Sequence, residues 1–174
     1  MLRTRVGYAG GRKQNPTYHD LGDHTEAFQV DFDPSRTSYE DLLKVFWADH
    51  DPCGGAWSRQ YRSAIFHHDA QQRRVAERTR DGLGQTRSIT TAIEPLDRFW
   101  LAEDYHQKHR LRSTPLFDEY ATVYPTLDAL LASVAVTRVN GYVGGYGTRA
   151  SLDAEIDKLG LSDQSRTWLL KHAR

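Results

Sequence analysis

The sequence of 174 residues contains a single cysteine, Cys53. One thiol closes no internal disulfide and builds no cysteine-based zinc site, which suits a reducing compartment. No run of apolar residues is long enough to span a bilayer, and the opening Met1-Leu2-Arg3-Thr4-Arg5 lacks the apolar core of a signal peptide. A cytoplasmic protein is expected. Neither charge is in excess: 23 Lys plus Arg match 23 Asp plus Glu, so no strong field draws in nucleic acid or an anionic membrane. The span Gly141 to Gly147 has no Gly-Lys-Ser/Thr ending, which gives no support to a phosphate-binding loop. Gly7-Tyr8-Ala9-Gly10-Gly11 and Gly141-Tyr142-Val143-Gly144-Gly145 are too short to form an internal repeat and read as tight turns. His67-His68 on a strand point to opposite faces and His106 with His109 is half a site, so no bound metal or other cofactor is expected.

What is present fits one domain with a real core. Residues 2 to 8 read as a strand, and residues 27 to 33 alternate with Phe28, Val30 and Phe32 on one face. Thr37 with Glu40 has the spacing of a capping box and opens a helix striped by Leu42, Leu43, Phe46 and Trp47. Tyr61 to His67 is strand-like, Asp69 with Gln72 starts a long polar helix ending near Gly82 or Gly84, and Ile89 to Ile93 is a β-branched strand. Beyond Glu103 the pattern is helical: roughly 102–112, 116–121, 127–135, 151–159 and 162–172. The expected fold is α+β: a two-layer sandwich with a mixed sheet (ferredoxin-like core) over residues 1–112, and a helical C-terminal extension, 113–174, packed on the same domain.

Three stretches present polar groups on short turns: Val6-Gly7-Tyr8-Ala9-Gly10-Gly11, Asn15-Pro16-Thr17-Tyr18 and Gly22-Asp23-His24-Thr25-Glu26. With Phe46-Trp47, His50-Asp51-Pro52, Gln60-Tyr61-Arg62-Ser63, Ile89-Thr90-Thr91 and Ala102-Glu103-Asp104-Tyr105-His106-Gln107, they occur in an order that resembles the A-type peptide methionine sulfoxide reductases. The resemblance covers about the first 110 residues. It implies thiol-dependent reduction of methionine (S)-sulfoxide, in oxidised proteins and peptides or free, with thioredoxin or another thiol as reductant. It also implies roles. Glu26 would be the acid that protonates the departing oxygen, and Tyr18 and Tyr61 would bind that oxygen. A carboxyl half-buried among aromatic rings holds its proton to higher pH, and a fixed donor aimed at developing negative charge is worth roughly 2.7–4 kcal/mol. Taken without the resemblance, Glu26 reads as a solvated strand-end carboxylate and the two tyrosines as ordinary core residues.

The sequence also departs from the family. The Gly-Cys-Phe-Trp-Gly segment that holds the attacking thiol precedes the glycine turn in family members and is absent here, where Met1 stands a few residues before Val6. A start inside a strand suggests a segment upstream. The family's Gly-Asn-Asp loop is replaced by Cys53-Gly54-Gly55-Ala56-Trp57-Ser58-Arg59, and the C-terminal recycling thiol by Val143. Cys53 is then an inert small side chain, a resolving thiol, or a relocated nucleophile. His106 is expected to hydrogen-bond beside the pocket. Two functions stay open: a sulfoxide reductase whose thiol lies upstream, and a non-catalytic sulfoxide-binding or interaction protein of the same fold.

Overall fold

A computed structural model of the protein describes residues 1–173. The strands are β1 (Arg3–Ala9), β2 (Thr25–Asp31), β3 (Ala64–His67), β4 (Ala92–Pro95) and β5 (Trp100–Leu101). They lie in two small sheets, one ordered β2-β1-β5 and one pairing β3 with β4. β1 and β5 are antiparallel, with Gly7 opposite Leu101 and Tyr8 opposite Trp100. β3 and β4 are parallel, with Ile65 opposite Ile93, which requires a crossover. Helix α2 (Ala70–Asp81), between them in sequence, supplies it.

The chain divides into two compact units. One comprises Val6–Phe28 and Asp33–Ala102. In it, helix α1 (Tyr39–Ala48) buries Leu43 and Trp47 against Ile65 and Ala76, and a second cluster gathers Tyr8, Leu21 and Ala102. The capping box of α1 is Ser38 with Asp41, one residue later than the Thr37–Glu40 pair; the shorter Asp41 carboxylate closes back on the Ser38 backbone N–H. The Asp69 cap of α2 is as expected, its carboxylate accepting from Gln72 N at 2.8 Å. Tyr61 belongs to a 3-10 turn, Arg59–Tyr61, and the strand begins only at Ala64.

The other unit comprises Met1–Arg5, Gln29–Phe32 and Glu103–Arg174. Its helices α3 (His109–Arg112), α4 (Leu116–Val123), α5 (Leu127–Ala132), α6 (Val134–Val143), α7 (Arg149–Asp153) and α8 (Asp163–His172) surround a core that includes Leu111, Leu116, Tyr120, Val136, Val139 and Leu169. The expected 102–112 helix is a 3-10 turn, Asp104–His106, followed by α3, because Lys108 takes a left-handed conformation (φ +53°) between them. The expected 127–135 helix breaks at Ser133, whose hydroxyl caps α6. That helix runs through Gly141 and Tyr142, where a tight turn was expected. Val136, Val139 and Tyr142 recur on one buried stripe, and their burial overrides the low helix propensity of a valine-rich segment. Among the described residues no helix is long and apolar enough to cross a membrane.

Candidate functional site

The glycine turn after β1 and the turn before β2 are fastened together. Asp23 Oδ1 accepts from the backbone N–H groups of Arg12 (2.8 Å) and Lys13 (3.2 Å), and these donors hold its carboxyl below the usual carboxylate range. Buried His24 accepts from Gly11 N at its Nδ1 (3.1 Å), which leaves Nε2 to donate to the Lys13 carbonyl at 2.8 Å. The approach is close enough to require glycine. A Cβ on Gly11 would lie 2.6 Å from both Asp23 Oδ1 and His24 N, and one on Gly10, at φ +78°, would lie 2.5 Å from the Phe66 ring.

The 3-10 turn locks onto the same frame. Arg59 donates from Nε to the Asp23 carbonyl (2.6 Å) and from Nη2 to the Gly10 carbonyl (2.9 Å). Thr25 Oγ1 donates to the Arg59 carbonyl at 3.1 Å. Arg62 donates to Thr25 Oγ1 and grips Glu94 through two bonds of 2.6 Å, which depresses the Glu94 carboxyl.

This frame brings three of the four residues singled out from sequence into one cluster. Tyr18 follows Thr17, whose backbone pairs with Asp20, and its hydroxyl lies 3.4 Å from that of Tyr61. Glu26 stands next to Thr25 on β2 and joins the phenols through Gln60, whose amide donates to Glu26 Oε1 at 2.6 Å and to Tyr61 Oη at 3.1 Å. Glu26 is exposed, as the residues read without the resemblance suggest and unlike the half-buried acid of the resemblance, because it occupies an outward position in the burial alternation of β2. The Tyr61 phenol is pushed up to about 12, first by its hydrogen bond with Tyr18, then by burial and by the negative charge of Glu26. It therefore keeps its proton at neutral pH.

Cys53 is held elsewhere in the same unit. Its backbone N–H donates to Asp51 Oδ1 (3.0 Å) and its Sγ to the Arg87 carbonyl (3.6 Å), while the Arg87 guanidinium clamps Asp51. Thr90 completes the stitching, donating from Oγ1 to the Gly54 carbonyl at 2.6 Å. Among the described residues no group of three or more His, Cys, Asp or Glu is placed to hold a metal.

Sequence reasoning gave no role to Gln60, Arg59, His24 or Trp57. Gln60 was legible only as the neighbour of Tyr61, since it takes a 3-10 turn to aim both side chains at the same space. Trp57, stacked on Tyr61 with ring centroids 4.8 Å apart, had a weak signal as an aromatic in a glycine-rich loop.

A family model described as peptide methionine sulfoxide reductase matches residues 1–136, and one described as the helical domain of selenoprotein methionine sulfoxide reductase A matches residues 128–168. A peptide methionine sulfoxide reductase of Drosophila melanogaster is 38% identical over 99% of this chain and 71% of its own length. Peptide methionine sulfoxide reductase A5 of Oryza sativa is 36% identical over 91% of this chain, which spans 66% of that relative. The MsrA protein of Methanothermobacter thermautotrophicus is 47% identical over 63% of this chain and 72% of its own. Among solved structures, reduced Mxr1 of Saccharomyces cerevisiae aligns with a TM-score of 0.53 and 28% identity, covering 64% of this chain and 71% of the other. With the matched model spanning most of its residues, this chain belongs to the peptide methionine sulfoxide reductase family.

Proposed function

We propose that the protein acts in thiol-dependent reduction of methionine (S)-sulfoxide, with Tyr18 and Tyr61 binding the sulfoxide oxygen and Glu26 protonating it. The observation that carries this reading is the pair of phenol hydroxyls 3.4 Å apart, tied to the Glu26 carboxyl group through one amide. Two neutral donors suit an oxygen that bears partial negative charge in the sulfoxide and more of it as the S–O bond breaks. In that reaction a thiolate attacks sulfur, the oxygen passes to the thiol as a sulfenic acid with a proton from Glu26, and the thioether leaves. A second thiol then forms a disulfide and releases water. Thioredoxin or a small thiol is the proposed reductant, and oxidised proteins and peptides the proposed substrates.

A second reading, sulfoxide binding without turnover, is favoured by one observation: the Cys53 thiol donates to the Arg87 carbonyl at 3.6 Å, in a loop fastened to residues 87–90. The chain with dithiothreitol and a methionine sulfoxide peptide separates the two. Binding of the sulfoxide in preference to its thioether, weakened about two- to tenfold by Tyr61→Phe, is expected in both. Equal affinity for sulfoxide and thioether removes the oxygen site altogether. Little or no turnover by the chain as given is expected, and fast turnover lost in Cys53→Ser would make Cys53 the nucleophile.

A further inference from the structure

Trp57 is an exposed apolar side chain directly beside the phenols. It is 83% exposed, and its indole stacks on the Tyr61 ring with planes at 28°. One aromatic face is thus fixed by Tyr61 while most of the indole stays in water. A tryptophan in this position forgoes the burial its side chain ordinarily gains, and aromatic surface beside convergent polar groups is the composition of a recognition site.

Its surroundings admit an extended chain. Gly54, Gly55 and Ala56 are exposed, and beyond its own chain neighbours nothing lies within 4 Å of where a Cβ on Gly55 would stand. The Tyr61 hydroxyl, at the far end of the stacked ring, meets Tyr18 and Gln60. The indole therefore stands beside the oxygen spot at about the reach of a methionine sulfoxide side chain. A substrate whose oxygen sits at the phenols brings its main chain and its neighbouring residues to Trp57. Arg59, two positions along the chain, donates from Nε and Nη2 to the Asp23 and Gly10 carbonyls, and the negative face of an indole disfavours an acidic neighbour of the sulfoxide. An apolar one finds an aromatic face.

We propose that Trp57 is a specificity-determining residue that receives the apolar residue adjacent to methionine sulfoxide in an extended peptide. The inference rests on the reading of Tyr18 and Tyr61 as the oxygen site. The preference it creates is for peptide-borne sulfoxide over the free amino acid, and for leucine over glutamate as neighbour.

Calorimetric titration of the full chain tests it with three probes: N-acetyl-Leu-methionine-(S)-sulfoxide-Leu-amide, the same peptide with glutamates, and free methionine (S)-sulfoxide. The leucine peptide should bind about tenfold tighter than either of the others, the size of effect expected from one aromatic contact. Trp57→Ala should abolish that advantage while leaving affinity for free methionine sulfoxide within about twofold, and Trp57→Phe should restore part of it. Because the side chain lies in water, the fold of each variant is expected to be intact, and circular dichroism checks this. A preference that survives Trp57→Ala, or equal binding of all three probes by the unaltered chain, overturns the inference alone. Failure of every sulfoxide probe to bind the unaltered chain overturns the oxygen site and this inference with it.

Discussion

Tyr61 shows how one residue acquires its behaviour from neighbours distant in sequence. Its hydroxyl meets Tyr18, 43 positions earlier, and it senses the Glu26 charge. Since the phenol is pushed up to about 12, the ultraviolet difference between wild type and Tyr61→Phe should develop only on approach to that pH. A phenolate signal already present at pH 10 would remove the coupling described here. Glu26 calls for a different measurement. Joined to the family's Gly-Cys-Phe-Trp-Gly segment, the chain should lose roughly 100-fold or more of its rate in Glu26→Gln, with sulfoxide affinity little changed. An unchanged rate would end its assignment as the acid. For Cys53 the sequence left three roles open, and the geometry adds a structural occupation: its loop is fastened to residues 87–90.

At the scale of elements, the turns do the positioning. Gly11→Ala forces a Cβ against the Asp23 carboxylate and the His24 backbone, neither of which can yield without opening the turn. A loss of about 1–3 kcal/mol is expected in urea unfolding, along with weaker sulfoxide binding; wild-type stability would show that the turn relaxes freely. The Arg62–Glu94 pair ties the 3-10 turn to β4, with side chains only 17% and 33% exposed. Glu94 is held below its ordinary 4.5, so the stability it contributes is present above that pH and is lost as pH falls below it. Glu94→Gln should flatten this acid limb of the unfolding curve, and an identical limb in the variant would place the acid sensitivity elsewhere. The Asp69 cap was legible because its chemistry is local. The break at Ser133 and helix α6 were not, because a valine-rich segment becomes helical only when a core exists to bury its stripe.

At the scale of the molecule, the helical unit is anchored on one buried ammonium. In the helical unit the buried Lys108 ammonium donates to the Thr4 carbonyl (2.9 Å), to Thr4 Oγ1 (2.7 Å) and to Thr137 Oγ1 (2.9 Å), fastening the chain's first residues to α6. Burial, aided by Arg5, pulls its pKa down from 10.5 to about 8. The unfolded chain therefore binds more protons between those values, and stability rises with pH across that window, by at most about 3 kcal/mol. Lys108→Met should remove the rise, as chemical denaturation at pH 7.5 and pH 10 would reveal; an equal rise in the variant assigns it to another group.

Composition, motif order and turn chemistry determined by themselves the family, the alternation of strands and helices, and the short motifs that carry Tyr18, Glu26 and Tyr61, since each depends on residue type and short spacing. Only the tertiary structure decided that the strands lie in two sheets, that Tyr61 sits on a 3-10 turn, that Gln60 links Glu26 to the phenols, and that Cys53 bonds to another loop. Such contacts join residues tens of positions apart, and their geometry exists only once the frame of backbone hydrogen bonds and buried side chains has formed.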